Sequence, residues 1–170
     1  MNRRRDFLAA SATLASLALL RTPAATALSP APMAMRAIPS SGEQLPVIGM
    51  GTSGSFEVGG NAEARSQLTE VLKRFVAGGG RLIDTAPTYG SAEDVLGDLL
   101  EATGLRSSIF LATKLSGVTG RDAGLAQFAS TLGRLKSDSV ELLQVHNLRD
   151  WRTQLAVARE LKAEGKVRYV

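Results

Sequence analysis

From Val47 onward, short apolar runs alternate with stretches of helical period, and this alternation leaves few folds open to the chain. Val47 to Met50, Arg81 to Asp84, Ile109 to Lys114 and Val140 to His146 read as strands. Between them the apolar residues recur every three or four positions. In Glu63 to Ala77 they are Ala64, Leu68, Val71, Leu72, Phe75 and Val76. A second helix is expected from Ala92 to about Ala102, and a third from about Ala123 with Leu125, Phe128, Leu132 and Leu135 inward. A fourth runs from Trp151 to Glu164 with Trp151, Leu155, Ala158 and Leu161 inward. Gly78-Gly79-Gly80 supplies the left-handed backbone that stops the first helix. Ser91 can cap the second, with Glu93 and Asp94 near its positive end. Strand–helix alternation of this kind specifies a parallel α/β fold. Ahead of it, Ile38 to Val47 reads as a small hairpin turning at Ser41-Gly42.

Three of the runs end on a polar side chain. Asp84, Lys114 and His146 close theirs, and Tyr89 lies in the loop just after Asp84. In a barrel of parallel strands all C-terminal ends open onto one face, where active sites sit. An acid, a phenol, an amine and an imidazole would then meet at one mouth. Taken singly, each has an ordinary structural use: Asp84 as a turn cap, Tyr89 as a half-buried aromatic, Lys114 as a solvated charge, His146 as a structural histidine.

Charge and composition exclude several classes. The first 27 residues carry four of the 20 basic residues and one of the 16 acidic ones, which leaves 16 and 15 for the remainder. That near-neutral remainder has no basic stripe of the kind nucleic-acid binding requires. With no cysteine, disulfides, thiolate metal sites and cysteine nucleophiles are ruled out, and a single histidine argues against a His-rich zinc site. No metal is expected. Met1 to Ala27 has a basic start, a 14-residue apolar stretch from Phe7 to Leu20, and Ala25-Thr26-Ala27 as a small-residue cleavage site. The stretch is shorter than the roughly 20 residues that span a bilayer, so a signal peptide is expected rather than a membrane span; a buried or membrane helix is the other reading. Arg4-Arg5-Asp6-Phe7-Leu8 resembles the twin-arginine motif, implying the twin-arginine export machinery as a partner and a periplasmic or secreted destination. Residues 28–36, with Pro30 and Pro32, read as a linker.

The stretches IPSSGEQLPVIGMGT (38–52), RLIDTAPTYGSAEDVLGDLL (81–100), FLATKL (110–115), ELLQVHNL (141–148) and GKVRYV (165–170) together resemble the aldo/keto reductase family, in family order and spacing. The resemblance implies a (β/α)8 TIM barrel closed at the bottom by the N-terminal hairpin. Such a barrel takes roughly 250 residues. Residues 37–170 are therefore expected to hold its first half, about four β/α units and the start of a fifth strand. It implies NADPH as cofactor, NADP being favoured over NAD by family habit alone, and a small-molecule carbonyl substrate. Asp84, Tyr89, Lys114 and His146 match the catalytic tetrad. Gly51, Thr52 and Asp84 match residues beside the nicotinamide.

The chemistry of the four residues agrees with that implication. Hydride arriving at a carbonyl carbon leaves negative charge on oxygen, which needs a proton and stabilisation. A phenol, with an ordinary pKa of about 10, gives its proton more readily beside a lysine ammonium, which a carboxylate can hold in place. The imidazole can orient the carbonyl. No side chain donates a hydride, so a cofactor must. Gly49-Met50-Gly51-Thr52-Ser53-Gly54 matches G-x-G-x-x-G literally, but Ser55 to Asn61 is a poor helix start, and the dinucleotide fingerprint needs its loop to open straight into a helix. Two other functions stay open on the sequence: a non-catalytic nucleotide-binding or regulatory barrel, and an inactive truncated fragment.

Overall fold

The computed structural model describes residues 33–170. The expected signal peptide (1–27) and residues 28–32 of the expected linker lie outside the described residues. Strand β1 (Met35–Ala37) pairs antiparallel with β2 (Gln44–Pro46), Met35 opposite Pro46. The last two residues of the stretch expected as linker are thus already strand. The connection turns through Gly42, whose φ is +75° and whose N–H donates to the Ile38 carbonyl at 2.8 Å.

Five strands then follow in one parallel sheet, and their spatial order is their chain order: β3 (Met50–Gly51), β4 (Leu82–Asp84), β5 (Phe110–Leu115), β6 (Val140–Val145) and β7 (Val167–Tyr169). A helix joins each to the next: α1 (Ala62–Ala77), α2 (Ala92–Thr103), α3 (Arg121–Leu135) and α4 (Trp151–Ala163). This is the connectivity of a (β/α)8 barrel, represented by four β/α units and a fifth strand. Successive strand residues face opposite ways. Ile83, Leu111 and Leu143 join Leu72, Leu96, Phe128, Val157 and Leu161 of the helices in the buried core. Asp84, Lys114 and Gln144 fall on the other face.

The first barrel strand starts later than expected. The Val47 N–H donates to the Ala34 carbonyl at 2.9 Å, so Val47 extends the hairpin rather than the sheet. Val47 and Ile48 are 52% and 59% exposed. Gly49 then runs over Leu82, where a Cβ would lie 2.4 Å from Leu82 Cδ2. The literal G-x-G-x-x-G does not open a helix, since α1 begins only at Ala62, capped by the Asn61 carboxamide.

The end of α1 follows the expected glycine logic, with a refinement. Gly78 keeps a negative φ, and Gly79, at +88°, makes the left-handed step. The Gly79 and Gly80 N–H groups return to the Val76 and Phe75 carbonyls at 2.9 and 2.8 Å, the paired bonds of a Schellman stop. Two residues expected inward turn out: Val71 is exposed, and Trp151 is 43% exposed at the first turn of α4. Ser91 occupies the cap position of α2 without capping it, because its hydroxyl accepts the Gly59 N–H at 2.9 Å.

Glu93 lies in the first turn of α2 as expected, yet it is buried rather than solvated. Its Oε1 accepts from Thr113 Oγ1 at 2.8 Å, and its Oε2 accepts from Arg134 Nε and Nη2 at 2.9 and 2.6 Å and from Thr131 Oγ1 at 3.2 Å. One carboxylate thereby ties α2 to both β5 and α3. Close by, α2 and α3 touch backbone to backbone at Gly97, where a Cβ would stand 2.1 Å from the Arg134 carbonyl oxygen and 2.9 Å from Leu135 Cα. Neither backbone neighbour can swing aside as a side chain would. Gly97→Ala should therefore destabilise the fold by about 1–3 kcal/mol despite alanine's better helix propensity. Chemical denaturation checks this; an unchanged or raised stability would show that the two helices separate freely.

Candidate active site

The site follows from strand register. Asp84, the last residue of β4, pairs with Ala112 of β5, and Lys114 stands two residues further along β5 on the same face. Lys114 pairs in turn with Gln144 of β6. The lysine reaches back over the end of β4, and its Nζ donates to Asp84 Oδ2 at 2.6 Å and to the Thr85 carbonyl at 2.8 Å. Gln144 Nε2 donates to the other carboxylate oxygen, Oδ1, at 2.9 Å. Each oxygen of Asp84 thus has its own donor, and the Lys114 ammonium is fixed by two acceptors.

The β4–α2 loop brings in the phenol. Its turn is closed by the Tyr89 N–H donating to the Ala86 carbonyl at 3.0 Å, and Gly90 follows at φ +46°. Lys114 Nζ sits 5.0 Å from the centre of the Tyr89 ring, inside the range of a cation–π contact. His146 enters from the one-turn helix that follows β6, and its ring meets that of Tyr89 edge to face, 6.0 Å between centres and 88° between planes. The acid, phenol, amine and imidazole expected from the sequence are therefore gathered at one mouth.

Gly51 and Thr52 are placed beside Asp84 but differ in what they offer. Gly51 is exposed, pairs with Asp84, and has open space where a Cβ would be. Thr52 is fully buried, and both its N–H and its hydroxyl donate to the Asp84 carbonyl, at 3.0 and 3.2 Å. Its polar atoms hold β3 to the end of β4.

Sequence reading passed over three residues of this site. Gln144 precedes His146 by two positions in the run expected as one strand, a spacing that would put both on one face, although in the fold β6 ends at Val145 and His146 opens the one-turn helix after it. Ser116 follows Lys114 by two positions; its hydroxyl lies 2.6 Å from His146 Nδ1 and 3.0 Å from the Thr88 hydroxyl. The alternation that found Lys114 and His146 could have found Gln144 and Ser116. Thr88 left no such signal. Among the described residues no group of three His, Asp or Glu could hold a metal ion, and no helix is long and apolar enough to cross a membrane.

Known proteins are similar to this chain in sequence and in fold. The chain is 35% identical over 137 residues to aldo-keto reductase str7 of Strobilurus tenacellus, covering 72% of this chain and 40% of that protein. It is 33% identical over 142 residues to methylglyoxal reductase YeaE of Escherichia coli, covering 80% and 48%. An aldo-keto reductase from Klebsiella pneumoniae, solved in complex with NADPH, superposes with a TM-score of 0.68 at 27% identity over 81% of this chain and 49% of that one. The chain thus spans roughly half the length of these relatives. The aldo/keto reductase family model matches residues 47–170, from the end of the hairpin through all five parallel strands. A match that takes in the whole barrel portion, with Asp84, Tyr89, Lys114 and His146 meeting at its mouth, places this chain in the aldo/keto reductase family.

Proposed function

We propose that the protein reduces an aldehyde or ketone to an alcohol with NADPH, and that Tyr89 gives the carbonyl oxygen its proton. The observation that carries this reading is the Lys114 ammonium, bonded to Asp84 at 2.6 Å and set 5.0 Å from the Tyr89 ring centre. In the reaction a carbon–hydride bond forms at the carbonyl carbon, the carbon–oxygen double bond becomes single, and the oxygen takes the phenol proton. When bound, the nicotinamide supplies the hydride. Gly51 fits its ring, since nothing stands where a Cβ would block a flat group beside Asp84. The Lys114 ammonium lies against the Tyr89 ring, beside the negative charge that develops as the proton is transferred. Asp84, held by Gln144, keeps the ammonium aimed, and His146 orients the carbonyl oxygen toward the phenol. The mouth combines one acid and one positioned donor, which is what general acid catalysis requires.

Small reactive aldehydes are the first substrates to test, because relatives of this chain carry the names methylglyoxal reductase and glyoxal reductase. The protein as its gene encodes it, mixed with NADPH and methylglyoxal, should lose nicotinamide absorbance at a steady rate. Tight NADPH binding with no turnover across a panel of aldehydes and ketones would replace this reading with a nucleotide-binding role alone.

We further propose that the protein is exported from the cytoplasm. Arg4-Arg5 ahead of a short apolar stretch supports export of the folded, cofactor-loaded protein through the twin-arginine route. Arg4→Lys combined with Arg5→Lys should leave the protein in the cytoplasm. Undiminished periplasmic material from the double variant, measured by cell fractionation, would refute the route.

A further inference from the structure

We infer that Ser116 is a positioning residue that holds His146 in the tautomer carrying its proton on Nε2. The inference rests on the reductase reading of the site, which requires a hydrogen-bond donor facing the carbonyl oxygen. Ser116 is buried just past the end of β5, and its main chain is clamped on both sides by one side chain of α3. Its N–H donates to Gln127 Oε1 at 2.8 Å, and its carbonyl accepts from Gln127 Nε2 at 2.7 Å. The hydroxyl so placed lies 2.6 Å from His146 Nδ1 and 3.0 Å from Thr88 Oγ1.

A serine hydroxyl has one proton to donate, so with a neutral imidazole this chain of three groups can be ordered in only two ways. In one, Thr88 donates to Ser116 and Ser116 donates to Nδ1, leaving the imidazole proton on Nε2. In the other, Nδ1–H donates to Ser116 and Ser116 donates to Thr88, leaving Nε2 as a bare acceptor. No described residue makes a hydrogen bond to Nε2, so that nitrogen is the one left for a substrate. A carbonyl oxygen is itself an acceptor and is repelled by the second arrangement. The first presents it with an N–H, and it is also the form toward which a free imidazole side chain leans. The partner on one ring nitrogen sets the state of the other, and Ser116 is that partner here.

His146 is the only histidine among the 170 residues. Two-bond proton–nitrogen spectra of the imidazole, taken on the protein at a pH where the ring is neutral, would report its tautomer; the His146→Gln variant identifies the signal. The expected result is a single Nε2–H form in the wild type and in Ser116→Thr, which keeps the hydroxyl. Ser116→Ala should show both forms in exchange, with turnover reduced about three- to tenfold, the scale of one lost neutral hydrogen bond. An Nδ1–H ring in the wild type would overturn the inference without recourse to any variant. A Ser116→Ala ring that stays wholly Nε2–H would overturn it as well. The expected spectra in a protein that turns over no carbonyl would support the role of Ser116 and refute the reductase reading instead.

Discussion

Tyr89→Phe should lose about 10²- to 10⁴-fold of the reductase turnover while NADPH binds as before, the range expected for removing one general acid. The reason for this separation lies in how Tyr89 is held. Its ring is half-buried and packs against the hydrophobic core, so phenylalanine keeps the packing and loses only the hydroxyl. The Lys114 ammonium, still fixed by Asp84 and the Thr85 carbonyl, would then face a ring with no proton to transfer. Lys114→Met added to Tyr89→Phe should accordingly cost little beyond Tyr89→Phe alone, because residues that act as one unit are not additive. Steady-state NADPH oxidation gives the turnover, and fluorescence titration gives the cofactor affinity. A Tyr89→Phe protein with wild-type turnover would assign the proton to another group. Strictly additive losses would show that lysine and tyrosine act separately.

Arg134→Met is expected to destabilise the fold by about 3 kcal/mol, at the lower end of the range for breaking a buried ion pair. Glu93 is 1% exposed, and Arg134 supplies two of its four hydrogen bonds. Without the guanidinium the carboxylate keeps only two threonine hydroxyls in a site closed to water. The lower end applies because Arg134 itself is 27% exposed, so solvent already screens part of the pair. Glu93→Met with Arg134→Met should recover part of the loss, since removing both charges also removes the unpaired one. Chemical denaturation of the two variants measures both effects. An Arg134→Met protein as stable as the wild type would mean that water reaches Glu93 and that the bridge between α2, α3 and β5 carries little.

Much of this fold is legible from local chemistry. Apolar runs of strand length, helical periodicity, three consecutive glycines after α1 and polar residues at strand ends specify parallel strand–helix alternation. They also select the positions that meet at the mouth. These features depend on neighbours a few residues apart in the chain, so the sequence alone determined them. The departures all involve distant partners. Val47 was drawn into the hairpin by the Ala34 carbonyl, the Ser91 hydroxyl was taken by Gly59, and Thr52 turned its polar atoms to the Asp84 backbone. Glu93 reads as a helix-start acid in sequence and is a buried bridge in the fold, because its partners come 20, 38 and 41 residues later. Trp151 and Val71 lie on helical stripes whose pattern predicts burial, yet a stripe fixes only which residues share a face. How wide a face the sheet covers is set by where the helix docks. The geometry of the candidate site divides the same way: alternation selected Asp84, Lys114 and His146, whereas the pairing of Asp84 with Ala112 and of Lys114 with Gln144 decided which atoms touch. Register between strands 30 residues apart is a property of the folded sheet, and a shift of one residue would have turned Lys114 away from Asp84.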